Sequence, residues 1–511
     1  MSYPRSYPPS SGRLGALDWN AMVDRVNGFT PSGVFVSPYS YCISFDGTDY
    51  YASNAFQTVY GGPSDEGGVD GADLAAVVQA CLDDLTTGGY VQFGPGIFYT
   101  DDTFKMRYDN TRIGGSGVGV TKIVQTTANK DIIGLYGPTT TFYERLTVDN
   151  VYLDCATNDG GSAISWYNTD HGRIYNVYMS GGSDVYSLFL QGTYGSTDAD
   201  VAGEDLDNFN SVQNCTIWGD WDGDNTSLSF QQNLRFINNH CYGRVAVYKC
   251  RDSFISNNTV ESHDEGIWAT GPSYNLAIVG NTVEAVDECI VLSGTGTYKN
   301  WHPTIIGNTV RDGLAGIVLN YVIYGAIAGN TIQGSSLYGI KGNPVNYSTI
   351  TANSIEDIAS GGGGACIQLG KTGTDYSNYN TVTANTIYGD STLYGIIEET
   401  VASDQPNVIT DNIIQNCTNP IYSSNTHGSI VGRNVGFITE IKGNQAVANG
   451  ETTKQFAHGL ESAPIWVQLS ANYTGADPYV TSVDATNINI AFADPLGDKA
   501  IYWHAGTRKI G

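Results

Sequence analysis

Two stretches, NTVESHDEGIWAT at 258–270 and NTVEAVDECIVLS at 281–293, repeat three carboxylates at the same offsets. Glu261 and Glu284 fall third after the Asn, Asp264 and Asp287 sixth, and Glu265 and Glu288 seventh. If the two stretches stack as neighbouring strands, about 4.8 Å apart, equivalent acids lie about 5 Å from one another. Retaining glycosidases hold their two carboxyls about 5–5.5 Å apart, and inverting ones about 6.5–9.5 Å. Like charges that close raise at least one carboxyl pKa, which a general acid requires. Asp264 or Glu265 set against Asp287 or Glu288 is therefore a candidate acid and base, or acid and nucleophile. His263 adds a proton carrier or hydrogen-bond donor, and Trp268 an aromatic face for a pyranose ring. The competing reading is a solvated acidic rim that does nothing. A third keeps Ca²⁺ as a candidate ligand of four hard oxygens. With Arg244, Lys249 and Arg251 just upstream, that arrangement suits a lyase acting on a uronate.

A second constellation is TIWGDWDGDNT at 216–226, which pairs Trp218 and Trp221 with Asp220, Asp222 and Asp224. Its Asp-x-Asp-x-Asp run lacks the Gly and the Glu that an EF-hand loop needs at its sixth and twelfth positions. Trp218 and Trp221 remain candidate sugar platforms. Outward positions beside Trp268 are expected to hold Tyr248, Val291, Val318 and Lys341. Together with Glu261 and Glu284 these complete the candidate binding surface. No Ser-His-Asp order and no HExxH is present, and the lone His458 is expected to be a turn histidine held by backbone.

The elements that position these residues are repeats. An Asn recurs at 239, 258, 281, 308, 330, 353, 385 and 412, in steps of 19, 23, 27, 22, 23, 32 and 27 residues. A small residue or Pro before Ile keeps phase with it at Gly266-Ile267, Cys289-Ile290, Gly316-Ile317, Gly339-Ile340, Cys366-Ile367, Gly395-Ile396 and Pro420-Ile421. Weaker repeats surround Asn150 and Asn176. A period near 23 built from short Val/Ile/Thr runs means coils of short strands that bury one shared core. The aligned Asn should form a ladder, its amides pairing from coil to coil.

Composition agrees with this. The chain has 511 residues, 62 Gly, 34 Tyr and only 15% charged residues, a mix for short strands and tight turns. A formal net charge of −27 argues against a nucleic-acid partner. Nine Cys lack metal-type spacing and are expected to be reduced and buried. No segment is long and apolar enough to predict membrane insertion. MSYPRSYPPSSGRLGA at the start has no apolar signal-peptide core, which points to cytoplasmic assembly.

The NTV…GI repeat resembles the right-handed parallel β-helix of the pectate-lyase-like superfamily. The segment GVDGADLAAVVQACLDDLTTGGYVQFGPGIFYT at 68–100 resembles that superfamily's opening module. There a short amphipathic helix caps the first coil. Leu74, Val77, Val78, Cys81 and Leu82 have helical spacing on their own account. The tail from about Phe437 alternates apolar and polar residues without the Asn, as a small antiparallel β-sandwich does. Its AHGL…AP…V, TNINIAF and YW elements resemble a C-terminal module of tailed-virus proteins.

The expected organisation is an N-terminal docking region at 1–64, a β-helix at 65–436 and a β-sandwich at 437–511. In the docking region, Trp19, Met22, Val23 and Val26 form a helical stripe and 36–64 form hairpin strands. This arrangement resembles viral tailspikes. The resemblance implies a homotrimer fixed to the virion tail or baseplate by its N-terminus, binding a host surface glycan and requiring no cofactor. A free polysaccharide lyase or hydrolase of a cell, and a non-catalytic fibre or adhesin, are the alternatives.

Overall fold

The computed structural model describes residues 40–54, 58–135, 142–155, 160–181, 186–192, 209–219, 224–358, 364–389, 394–399, 406–423, 429–436, 440–447, 451–458, 460, 463–464, 466–471, 478–491 and 499–506. The expected helix around Trp19, the side chains of Trp221, Asp220 and Asp222, and most of the 194–210 insertion lie outside these residues.

Each coil contributes one strand to each of three parallel sheets. The first sheet has 17 strands, two of which, Tyr50–Ser53 and Thr58–Gly61, join it antiparallel, and the second and third have 13 each. The second runs from Gly96–Thr100 to Ile413–Gln415, and the third from Phe104–Lys105 to Asn419–Ser423. The protein is thus an all-β parallel β-helix. Inward positions stack like on like. Val260, Val283 and Val310 pair in register in the second sheet, and Ile267, Ile290 and Ile317 in the third, all fully buried. Burying one such side chain contributes about 1.5–3 kcal/mol, and the stack repeats that gain at every coil.

The expected helix is present at Leu74–Asp84. Asp73 caps it, accepting from the Ala76 N–H at 3.0 Å, and its apolar face buries Leu74, Val77, Val78, Cys81 and Leu82. Below it Phe93 packs edge-on against Phe98 and stacked against Phe104, closing the first coil with aromatic bulk. Ahead of the helix, Tyr41–Phe45, Tyr50–Ser53 and Thr58–Gly61 pair antiparallel, and Tyr41–Phe45 also extends the first sheet alongside Gly89–Phe93.

Between the first and second sheets runs the Asn ladder. Asn281 is typical. Its Nδ2 donates to Ile255 O at 2.9 Å and to Asn308 Oδ1 at 3.0 Å, while its own Oδ1 accepts from Asn258 N and Nδ2 at 2.9 Å. The ladder runs from Asn239 through all the expected positions and continues to Asn434. Asn150 and Asn176 are not members. They sit one residue earlier, at the left-handed position that Asn214, Asn238 and Asn257 also occupy and that Gly280 and Gly307 take over in later coils. Asn tolerates positive φ better than other side-chain-bearing residues, so two different constraints place Asn at adjacent positions of one turn.

At the C-terminal end, Glu440–Val447, Trp466–Ala471 and Lys499–Gly506 form one three-stranded antiparallel sheet. Thr453–Ala457, Tyr479–Val483 and Asn487–Ala491 form a second. Val447, Ile501 and Trp503 from one share a core with Phe456, Ile488 and Ile490 from the other. His458 is buried there, with Nδ1 accepting from Leu460 N at 3.0 Å and Nε2 3.1 Å from Asp484 O. Both ring nitrogens are committed to backbone, as a structural histidine requires.

Candidate functional site

The turn from the second sheet to the third carries the acids. Thr259–Ser262 ends at Ser262, whose hydroxyl accepts from Asp264 N at 3.2 Å, and the third-sheet strand begins at Ile267. In the next coil Thr282–Ala285 leads to the strand Glu288–Ser293. One carboxylate oxygen from each of Asp264, Glu265 and Asp287 lies within 4.8 Å of the others. Glu288 stands beside them. Among the described residues the ladder of acids is two coils long, Glu288 being followed in register by Ala315.

Arg244, from the preceding coil, closes the cluster on the other side. Its Nη1 donates to Asp264 Oδ2 at 2.8 Å and also pairs with Glu265 Oε2, and its guanidinium carbon lies 4.8 Å from the Trp268 ring centroid. The Arg244 side chain is only 17% exposed, so these contacts are partly shielded from water. Lys249 and Arg251 do not join it. Lys249 lies over Phe230, and Arg251 pairs with Asp252, both near the turn from the third sheet back to the first. Of the three upstream cations expected near the acids, one reaches them.

Electrostatics separates the carboxyls. Burial raises the pKa of Glu288, reinforced by the charges of Asp287, Glu265 and Asp264 and opposed by Lys341. Asp264 is also raised, first by burial and then by its hydrogen bond and charge interaction with Glu265, with Arg244 opposing. Ca²⁺ chelation fits this donor set poorly at its Arg244 end, since a guanidinium already compensates Asp264 and Glu265.

Outward from the acids, Trp268, Val291, Val318 and Lys341 stack in register along the third sheet, as expected. Tyr248 does not belong to that column. Ala246 occupies the position next to Trp268, and Tyr248 sits two residues on, opposite Thr270. It still touches Trp268 edge-on, with ring centroids 5.6 Å apart. The Trp268 ring is therefore framed by Arg244 and Tyr248 and is half-buried. Tyr338, which the repeat did not single out, joins Trp268 in packing over Val291, Ala315 and Val318, and Lys341 lies over its ring at 5.0 Å. The signal for it was present: Tyr338 is in register with Ala315 and, one coil further back, Glu288. His263 lies exposed on the acid turn itself.

Trp218, Glu261 and Glu284 lie elsewhere. They project from the second sheet, where Trp218 pairs in register with Tyr242, Tyr242 with Glu261, and Glu261 with Glu284. His240 Nε2 is 3.0 Å from Glu261 Oε1. The structure thus splits the expected site into an acidic corner with the third sheet and a separate aromatic and acidic row on the second.

Solved structures of similar shape include phage tailspikes. The Pseudomonas phage phi297 tailspike matches at 12% identity and a TM-score of 0.54, covering 86% of this chain and 92% of that one. The Dettilon tailspike matches at 12% and 0.51, covering 85% and 91%. A mutant tailspike of E. coli bacteriophage HK620 in complex with a pentasaccharide matches at 12% and 0.51, covering 88% and 92%. This likeness establishes the fold, the parallel β-helix of tailspike proteins. The family profile described as Periplasmic copper-binding protein (NosD) matches residues 293–388, a stretch lying wholly within the coils. None of the curated proteins matches the sequence. Among the described residues no helix is long and apolar enough to cross a membrane.

Proposed function

We propose that the chain is a tailspike-like adsorption protein, a homotrimer carried on a viral tail by its N-terminal region, that binds host surface polysaccharide at the acidic corner. Support comes from the fold, from a relative of the same shape crystallised with a pentasaccharide, and from the corner's combination of carboxyls with aromatic rings.

Hydrolysis is the second part of the reading, and Glu288 carries it. A half-buried carboxyl with a raised pKa beside other carboxylates is suited to protonate a glycosidic oxygen. As the bond to the leaving sugar breaks, the anomeric carbon becomes oxocarbenium-like. Asp287 or Glu265 then either attacks that carbon, forming a glycosyl ester that water hydrolyses with the Glu288 carboxylate as base, or takes a proton from water that attacks the carbon directly. A lyase is less well supported, because Lys249 and Arg251 stand away from the acids.

The test is incubation with purified polysaccharide of the host surface. Hydrolysis lowers viscosity and raises reducing ends, and a lyase would add ultraviolet absorbance from unsaturated uronates. Binding with no change in any of the three removes catalysis and leaves an adhesin. No binding at all removes the glycan reading, and a monomer in sedimentation removes the trimer.

A further inference from the structure

The outer face of the second sheet is set apart from the acidic corner by the turn Ser262–Gly266, and it carries a row of its own. Tyr152 and Tyr178 are in register with ring centroids 4.4 Å apart, and Lys122 lies over Tyr152 at 4.6 Å while pairing with Asp154. In the following coils Trp218 packs on Tyr242 at 4.3 Å, and Tyr242 stacks on His240 at the same distance. Trp218 is 38% exposed. The row then passes through Glu261, Glu284 and Arg311, flanked by the in-register threonines Thr259, Thr282 and Thr309. From Tyr152 to Glu284 is five coil steps, roughly 24 Å at the strand spacing.

We infer that this face is a second docking ribbon, separate from the acidic corner, that holds a neutral glycan chain without cutting it; the inference rests on the glycan reading above. Three features select that occupant. Aromatic rings offer apolar faces to the C–H surfaces of sugars, and the threonines, His240 and the tyrosine phenols beside them offer hydrogen bonds to hydroxyls. Lys122 pairs with Asp154, Glu284 is in register with Arg311, and Glu261 lies 3.0 Å from His240 Nε2. No excess positive field remains on this face to recruit a polyanion, on a chain whose net charge is −27. Here Glu261 lies 3.0 Å from His240 Nε2 and Glu284 is in register with Arg311, whereas the three-acid cluster lies at the corner.

The experiment uses the full chain carrying Glu288→Gln, so that polymer is not consumed, with and without Trp218→Ala and Tyr242→Ala. Binding of purified host polysaccharide and of a short oligosaccharide made from it is measured for each. The inference expects polymer affinity to fall about tenfold or more in the aromatic double variant, and short-oligosaccharide affinity to fall much less. Trp218→Phe with Tyr242→Phe should restore most of the loss, which a merely misfolded face would not allow. Equal polymer affinity with and without the double substitution overturns the ribbon while leaving the proposed function intact. Dissociation of the oligomer in sedimentation overturns it too, by assigning the face to a subunit contact. If the parent protein binds no polysaccharide, the proposed function fails first and the ribbon with it.

Discussion

The Nη1 of Arg244 lies 2.8 Å from Oδ2 of Asp264, a contact between neighbouring coils that makes a guanidinium the resident cation of the acidic corner. The same nitrogen pairs with Glu265, so one charge serves two carboxylates while Asp287 stands within reach of both. Arg244→Met should therefore leave three carboxylates facing one another without compensation. Its expected effects are a melting temperature lower by several degrees at pH 7 and a new stabilisation by millimolar Ca²⁺. The parent protein should show neither Ca²⁺ stabilisation nor loss of glycan cleavage on chelation. Calorimetry with and without Ca²⁺ checks both, and Ca²⁺ stabilisation of the parent equal to that of the variant would refute the assignment.

Glu288→Gln should separate catalysis from stability. As the proposed proton donor, its loss should slow cleavage by about 10²–10⁴-fold with binding retained. Its folded pKa is raised above the ordinary value of 4.5, so the folded state holds this proton more tightly than the unfolded state does. The sign follows from linkage: the penalty of ionising Glu288 is absent below pH 4.5 and grows as pH rises above it. The variant should melt at the parent's temperature near pH 4 and above it at pH 7. A variant less stable than the parent at pH 7 would show that Glu288 is held by favourable contacts instead.

The coils were legible because their constraints are periodic. An Asn that must bond three neighbours, and an inward Ile that must meet another Ile, each recur once per coil and so stand out in one sequence. The acids at 264, 265, 287 and 288 were legible for the same reason, since two coils shared their offsets. Arg244 as their partner was not, because the pairing depends on which cation bends toward the corner. Of Arg244, Lys249 and Arg251, only Arg244 stands at the start of a third-sheet strand, beside the acid turn of the next coil; the other two fall at that strand's far end. Tyr248 was misplaced by two residues for a related reason. Its strand, Arg244–Tyr248, puts Ala246 in the Trp268 column, and an alanine gives no pattern signal. That Trp218 and Trp268 face different ways depends on which sheet each strand joins, which the shared aromatic character conceals.

Asn281→Ala tests the ladder. The alanine removes a buried amide and strands Ile255 O, Asn258 N and part of Asn308 Oδ1, none of which water can reach at that depth. Leaving buried polar groups unpaired costs about 1–3 kcal/mol each, so a loss of about 3 kcal/mol is expected. Denaturant unfolding measures it. A loss under about 0.5 kcal/mol, typical of a surface change, would remove the ladder from the account of stability.

Gly266→Ala tests whether the corner's geometry depends on the coil beneath it. Gly266 directly follows Glu265, and a Cβ there would lie 2.4 Å from Val283 Cγ1 and 2.6 Å from the Cys289 carbonyl oxygen. The first contact could be relieved by a rotamer change, but the second is backbone of the next coil, whose Glu288 carbonyl already accepts from Gly266 N at 3.0 Å. The coils must therefore separate or shift at the point where Glu265 and Glu288 meet. Overpacking of this kind costs about 1–3 kcal/mol, and the displacement falls on the acids themselves. Cleavage should drop by more than the stability loss explains, while polymer binding through the second-sheet row is kept. Gly316→Ala provides the control: its Cβ would meet Ile332 Cγ2 at 2.5 Å and the Gly339 carbonyl at 2.8 Å, one coil beyond the acids. Comparable destabilisation in both variants, with cleavage impaired only in Gly266→Ala, would tie the small residue before Ile267 to the placement of Glu265. Equal cleavage in the two would make that residue a packing requirement and nothing more.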